Sequence, residues 1–580
     1  MIARASAPAP QGRARRRVAL LMDAIEDDYQ AGIVRGSASA AQHADVELVC
    51  LAGGVPGDTA KDRRSRRNFL FDLIEPGSFD GVLVLGGLAD QLGIPAFSGW
   101  LQRFESLPMV SLGGELPNCH NVVVDGAPGM LETLRHLIQV HHHRRIAFIR
   151  GPVTSFDAEV RYAAYRRALG EAGIAEDPRL VLSGSWLRES GVAAVRELFD
   201  GRGMQIDAVS ALCAANDYMA LGAMDELRAR GISVPGDVAV TGFDDVDAGK
   251  CAVPPLTTVQ QPTDALGREG VRRLVALMEG REEPRVARLA AVTVVRRSCG
   301  CAKAEVLIQH RSPVKSGRAL ELVVLERRTL ICAELSRSAR GSLLGAGARW
   351  EERLLTALLA DLQGTQPGAF LSAIDQLMAG IQRAGGELAH AQPVLSTLRR
   401  AVQDCAAGDP EAIIRIDDVL DSARELLSDW LLRGETQARL EVVEFLRGLS
   451  RVNEVLLEEP RGAAQRQAFE GGLKQLGLSA LSLGLFNEPG QVSERCVCVA
   501  GYDANGRAPL EPEFRSSDFA AKAVFAGERS AVLVQPVLFG GEPMGLLASV
   551  LGEWHGSVYE QMRETFGLGL RGFRLAHKKT

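Results

Sequence analysis

Short apolar runs separated by polar or glycine-rich joints dominate the first half of the chain. Residues 17–22, 46–51, 81–85 and 109–112 form one series, and residues 146–149, 180–182, 208–213 and 238–241 form a second. Apolar runs of this length bounded by turn formers read as strands buried on both faces, and their alternation with helical segments predicts parallel sheets. Two series predict two lobes. A closing helix over 266–279 follows, and in parallel sheets of this kind ligands collect beyond the carboxyl ends of the strands.

After Cys301 the pattern changes to apolar residues at three- and four-residue intervals. Helices are expected over 318–340, 350–362, 369–384, 395–405 and 410–433, punctuated by Gly345-Ala346-Gly347, Pro367-Gly368, Gly385-Gly386 and Gly408-Asp409-Pro410. An α-helical bundle over 312–434 is the economical reading. A connecting amphipathic helix over 435–459 comes next, with Leu440, Val443, Phe445, Leu446, Leu449, Val452, Val455 and Leu456 as its stripe. That stripe packs on its own domain or against a partner's copy. Strand-like runs at 480–486, 496–502 and 531–539, a Gly540-Gly541 hairpin into 544–551 and a helix over 558–577 complete the chain. Their order, not any motif, resembles a GAF-like α+β sensory domain over 460–580; a generic α+β domain is the other reading.

A chain of 580 residues is expected to split into about three or four domains. Its hydrophobic content of 46% and formal net charge of −6 describe a globular protein with no general affinity for nucleic acid or membrane. Arg13, Arg15, Arg16 and Arg17 make a basic cluster at the end of a tail, residues 1–16. Asp23 interrupts the apolar run behind it too early for a secretory signal, and nothing approaches the length of a membrane span, so a cytoplasmic location is expected. Ten scattered cysteines form no disulfide framework. Cys299-Gly-Cys301 and Cys496-Val-Cys498 are close pairs, but neither has an evident second pair to complete a metal site, so no metal or other cofactor is expected. Cys496 and Cys498 read as one face of a strand, and His141, His142 and His143 as a structural turn where a helix over 130–140 meets a strand.

The phrases AANDYMALG (214–222) and VAVTGFDD (238–245) read as strand ends that deliver carboxylates to a cleft. With HHHRRIAFIRGP from His141 and PPLTTVQQPTDALGREGVRRL from Pro254, they resemble, in order, the sensor domains of the LacI/GalR family, which are similar to periplasmic sugar-binding proteins. The resemblance covers residues 17–300, and implies a two-lobed α/β sensor, a small-molecule ligand and a homodimer paired through the first lobe. It also implies site residues. Arg161 in EVRYAAYRRAL supplies a fork of donors, Asp244 an acceptor carboxylate, and Trp186 in LSGSWLRESG a stacking plane. Asn216 contacts ligand in some members, and Asp217 either contacts it or braces its loop. Asp23 and Tyr29 come after the first strand and face the cleft. Where members often carry Asp after the fourth strand, this chain has Gly113-Gly114 and then Glu115, so one anchoring carboxylate is missing or has moved.

The family's helix-turn-helix needs about 50–60 residues before the first strand. Here about sixteen precede it, so direct DNA binding is not expected. A nucleophile-base arrangement, a phosphate loop, a GG-[DE]-EF cyclase loop and a histidine-kinase box are all missing from the text of the sequence, so the protein reads as no enzyme. The expectation is a ligand sensor that binds a sugar-like or nucleoside-like molecule between its lobes and transmits closure through helices to an output partner: a kinase, a cyclase or a transcription factor. The alternative is a transcriptional regulator acting without a helix-turn-helix of its own.

Overall fold

Short apolar runs, several of them closed by glycine or aspartate, become the strands of two parallel sheets. A computed structural model describes residues 15–26, 28–56, 65–74, 77–301, 320–339, 343, 345–384, 386, 388–406, 409–457, 480–488, 491–502, 513–522, 531–552 and 556–577. In the first lobe, β1 (Arg16–Met22), β2 (Val46–Ala52), β3 (Gly81–Leu85), β4 (Met109–Leu112) and β5 (His120–Asp125) lie parallel in the order β5-β4-β3-β1-β2. Helices Asp28–His43 and Thr263–Met278 pack on this lobe in close contact. A Cβ on Gly36 would strike the Asp264 carbonyl and one on Gly267 the Ile33 carbonyl, so glycine sets their approach.

The second lobe holds β6 (Ile146–Ile149), β7 (Val181–Leu182), β8 (Ala211–Ala214) and β9 (Ala239–Thr241) in the order β7-β6-β8-β9, all parallel. Helices Gly126–Arg135, Phe156–Glu171, Arg188–Arg196 and Asp217–Ala229 enclose it. The chain returns through β10 (Thr258–Gln260), adds β11 (Val286–Ala290) beside β5, and crosses again in β12 (Val292–Val294), which lies antiparallel to β10. Cys299 ends in the apolar core of the second lobe.

The C-terminal strands are β13 (Leu481–Phe486), β14 (Arg495–Tyr502), β15 (Glu513–Arg515), β16 (Val532–Phe539) and β17 (Glu542–Val550), antiparallel in the order β16-β17-β13-β14-β15. They do not stand apart. β16 pairs parallel with β2, with Val532, Leu533 and Val534 opposite Val49, Cys50 and Leu51, which makes one eleven-stranded sheet with the first lobe. The sequence VELVCLA of β2 carries no Lys or Pro guard of the kind that protects exposed sheet edges, and Leu48 to Ala52 are buried. Helix Gly556–His577 packs on β16, and its Glu560 receives a hydrogen bond of 2.6 Å from Arg67 of the first lobe.

By contacts, the chain divides into Met1–Glu305 with Arg447–Thr580, and Val306–Leu446. The second unit is helical, with helices Leu320–Glu326, Arg328–Ser338, Trp350–Leu362, Ala369–Arg383 and Ala391–Cys405 around a core that includes Leu335, Leu358, Phe370, Ile381 and Leu398. One expectation is corrected here. The break expected at Gly434 does not occur, and Pro410–Leu457 is one helix of 48 residues. A single interior glycine costs a helix only about 1 kcal/mol, which its neighbours offset. Of the stripe expected on this stretch, Phe445 and Leu449 are buried and Leu446 is exposed; the side chains of Leu440, Val443, Val452, Val455 and Leu456 lie outside the described residues. Among the described residues no helix is long and apolar enough to cross a membrane.

Candidate ligand cleft

Arg161 lies one and a half turns into helix Phe156–Glu171 and is only 5% exposed. Its guanidinium carbon lies 3.8 Å from the centre of the Phe243 ring and 5.4 Å from that of Trp186, an aromatic setting that attracts the charge on two sides. Its Nη1 donates to the Ala215 carbonyl at 2.7 Å. The carboxylates of Asp244 and Asp157 stand 3.7 and 3.6 Å away, close enough to attract but longer than direct hydrogen bonds.

Two backbone oddities place the other groups. Asp244 and Asp245 have φ of 125° and 67°, conformations that non-glycine residues hold only when their surroundings fix them. The Asp244 amide donates to the Val259 carbonyl at 2.8 Å, Gln261 donates to the Asp244 carboxylate at 2.6 Å, and Gln260 and Arg296 both donate to Asp245. Trp186 also has a positive φ of 68°. Asn216 holds its carbonyl through Nδ2 at 3.0 Å, while the Asn216 side-chain oxygen caps helix Asp217–Ala229 by accepting from the Met219 amide. The indole lies on Gly151, where any Cβ would strike the ring. This explains the glycine in the phrase IRGP.

Arg161, Trp186, Asn216 and Asp244 thus come together on the second lobe. Asp217 does not join them. It is fully buried, with Thr258 donating to one oxygen at 2.6 Å and the Val246 amide to the other at 3.0 Å, so it ties the loop after β9 to β10. Burial raises its pKa to about 6 against these hydrogen bonds. Asp23 and Tyr29 stay with the first lobe: Asp23 accepts from the Gln30 amide, and the Tyr29 hydroxyl lies over Gly113.

The first lobe reaches across with a residue that sequence reasoning missed. Asp90, five residues beyond β3, accepts a hydrogen bond of 3.0 Å from Trp186 Nε1, and its carbonyl accepts from Thr154. Burial, first, lifts its pKa to about 6; Asp157 adds to the rise, while the hydrogen bonds and Arg161 oppose it. Its position beyond the carboxyl end of a parallel strand was the available signal. A second bridge runs from the Asp247 amide to the Asp28 carboxylate at 3.0 Å. Asp90 and Asp28 thus bridge from the first lobe to the second. Gly113-Gly114 have a steric reason of their own: a Cβ on Gly86 or Gly114 would collide with the other's backbone. Glu115 turns away to pair with Arg288 at 3.0 Å.

The sensor half of the chain is similar to known proteins. Residues 134–299 match the periplasmic binding protein-like domain family. The chain is 39% identical over 209 residues to the HTH-type transcriptional regulator CelR of Thermobifida fusca, an alignment that spans 35% of this chain and 57% of that protein. It is 30% identical over 285 residues to the HTH-type transcriptional repressor CytR of Escherichia coli strain K12, covering 47% of this chain and 77% of the relative. Among solved structures, a transcriptional regulator CelR–cellobiose complex is 34% identical with a TM-score of 0.43, over 49% of this chain and 85% of the other.

Proposed function

This chain belongs to the LacI/GalR family, and from that premise we propose that residues 17–300 sense a small, neutral, hydroxyl-rich molecule, sugar-like or nucleoside-like, bound between the lobes. The relatives are named as transcriptional regulators, not enzymes. The observation that carries the reading is that Trp186 and Arg161 meet Asp90 of the opposite lobe, with Asp244 beside Arg161. Arg161 faces three carboxylates, those of Asp90, Asp157 and Asp244. This acceptor-rich ring suits hydroxyl donors and repels phosphates and sugar acids. Trp186 supplies an apolar plane for a ring, and the buried Phe243 ring backs the Arg161 guanidinium.

Chain topology supplies a route for the signal. The sensor ends at Cys299 to Cys301 on the second lobe, whereas β16 returns the chain to the first-lobe sheet. The segment between is therefore tethered at one end to each lobe, and closure alters the separation of its attachments. A ligand shifts that equilibrium only by its preference for the closed state. We take residues 460–580 as the GAF-like part of the output, and a homodimer as the working assembly; light scattering of a lone 62.2 kDa species at micromolar concentration contradicts the dimer.

A thermal-shift panel of disaccharides, nucleosides, amino acids and sugar phosphates tests the ligand reading. A neutral hit raises the melting temperature by stabilising the folded state, and Arg161→Ala and Asp244→Ala each lose the rise. A hit that binds both variants as tightly as wild type contradicts the cleft assignment, and a preference for sugar phosphates contradicts the ligand class. The relatives' names favour transcription as the process regulated. Pull-down with the full chain decides this, returning a transcription complex or a signalling enzyme.

A further inference from the structure

Two histidines and two cysteines that the cleft does not use meet on the second lobe. Helix Gly126–Arg135 runs into a π turn, His136–Val140, and in a turn with five-residue hydrogen bonding, residues five apart return to one face. His136 and His141 are five apart. The His143 amide, bonded to the Leu137 carbonyl at 3.0 Å, closes the turn. From the far end of the sensor come Cys299 and Cys301, flanking Gly300. Its φ of 104° favours glycine, and a Cβ there would stand 3.3 Å from His141 Nδ1. The sequence offers the cysteine pair without a companion; the fold supplies one from about 160 residues earlier.

The four ligand atoms converge. His136 Nε2 lies 3.2 Å from His141 Nε2, 3.3 Å from Cys301 Sγ and 3.5 Å from Cys299 Sγ, and His141 Nε2 lies 3.3 Å from Cys301 Sγ. All four lie within 4.8 Å of one another. Donors held about 2.0–2.3 Å from a shared centre at tetrahedral angles stand roughly 3.3–3.8 Å apart. An imidazole nitrogen has one hydrogen or one lone pair, too few to serve three neighbours. One cation serves all four.

We propose that His136, His141, Cys299 and Cys301 form a structural Cys2His2 zinc site that staples the sensor's exit to the helix by which the chain enters the second lobe. Mixed imidazole and thiolate donors select zinc over magnesium or calcium, and four protein ligands leave no open position for catalysis. Loading releases the thiol protons to solvent. Cys301 is the last described residue before 302–319. The ion therefore fixes the sensor's final point to the lobe that moves, so that motion of the lobe is passed without slack to the polypeptide beyond Cys301.

The test uses the full chain, purified under reducing conditions, stripped by a chelator and titrated anaerobically with Co²⁺ and then Zn²⁺. One equivalent of Co²⁺ is expected to give the intense visible bands of a tetrahedral ion with a near-ultraviolet thiolate charge-transfer band, and one equivalent of Zn²⁺ to erase them. The double variant Cys299→Ser, Cys301→Ser loses both signals, and His136→Gln loses the tetrahedral signature. Cys251→Ser, which replaces an exposed thiol, keeps them. Failure of the reduced wild type to bind one equivalent, or bands that persist in the double variant, overturns the proposal. The wild-type titration decides this even if a variant does not fold.

Discussion

The two lobes share one architecture, a parallel sheet wrapped by helices, but differ at their edges. The first-lobe sheet runs on through β16 into four further strands and is held there by Arg67 and Glu560. The second-lobe sheet has four strands. The side chains proposed for ligand, Arg161, Trp186 and Asp244, belong to this smaller lobe, whereas the extended lobe contributes Asp90. On the function proposed above, the difference assigns roles: the first lobe would be the anchored body, and the second the part whose position a ligand sets.

The harshest way to break the contrast is Val534→Asp. Val534 is fully buried opposite Leu51, and an unpaired charge there is expected to cost more than about 4 kcal/mol. Hydrogen exchange should rise in β2 and in β13 to β17 while β6, β8 and β9 keep their protection. Equal loss in both lobes denies the separate roles. Asp217→Ala makes the converse cut. Stranding the Thr258 hydroxyl and the Val246 amide is expected to cost about 2–3 kcal/mol, with the exchange increase centred on the second lobe.

Acidity separates the regions by sign. The pKa values of Asp90 and Asp217 rise to about 6 through burial, so the folded state binds more protons than the unfolded one. Their contribution is fully present below the ordinary value of about 3.9 and is lost as pH rises through about 6. Glu560 is the opposite case. Burial pushes it up, but Arg563 and Arg67 outweigh burial and hold it below its usual value. Its contribution is present above the ordinary carboxylate range and is lost as pH falls through the lowered value. Raising the pH from 5 to about 7 should therefore loosen the second lobe and the cleft, by hydrogen exchange, and leave the β2–β16 junction unchanged; Asp217→Asn should remove part of that response. The mildest test is Arg67→Ala, expected to cost about 1–2 kcal/mol in chemical denaturation, because Arg563 still neutralises Glu560.

Much of this was legible in the sequence where a residue's local role and its structural role coincide. The apolar runs of β1 to β4 and β9 end where glycine or aspartate begins the next loop, so both strands and loops could be read. β5, β10 and β12 are not evident in the sequence because they are short or mixed in polarity and pair with strands farther along the chain, β5 with β11 and β10 with β12. Arg161, Trp186 and Asp244 were readable from their phrases. Asp90 was not, since GGLADQLG is an unremarkable loop until Trp186 arrives from 96 residues away. The junction of β2 with β16 left one local sign, an edge strand without guards. His136 had none, because only the π turn brings it beside His141.

The central claim, that a ligand moves the second lobe against an anchored first lobe and that the motion leaves the sensor, is tested most directly by hydrogen exchange of the full chain with and without a hit from the ligand panel. The account predicts new protection around Asp90, Arg161, Trp186 and Asp244, no change where β2 meets β16, and altered exchange in the helices from Leu320 to Cys405. Changes confined to the cleft, with those helices exchanging as before, would contradict it.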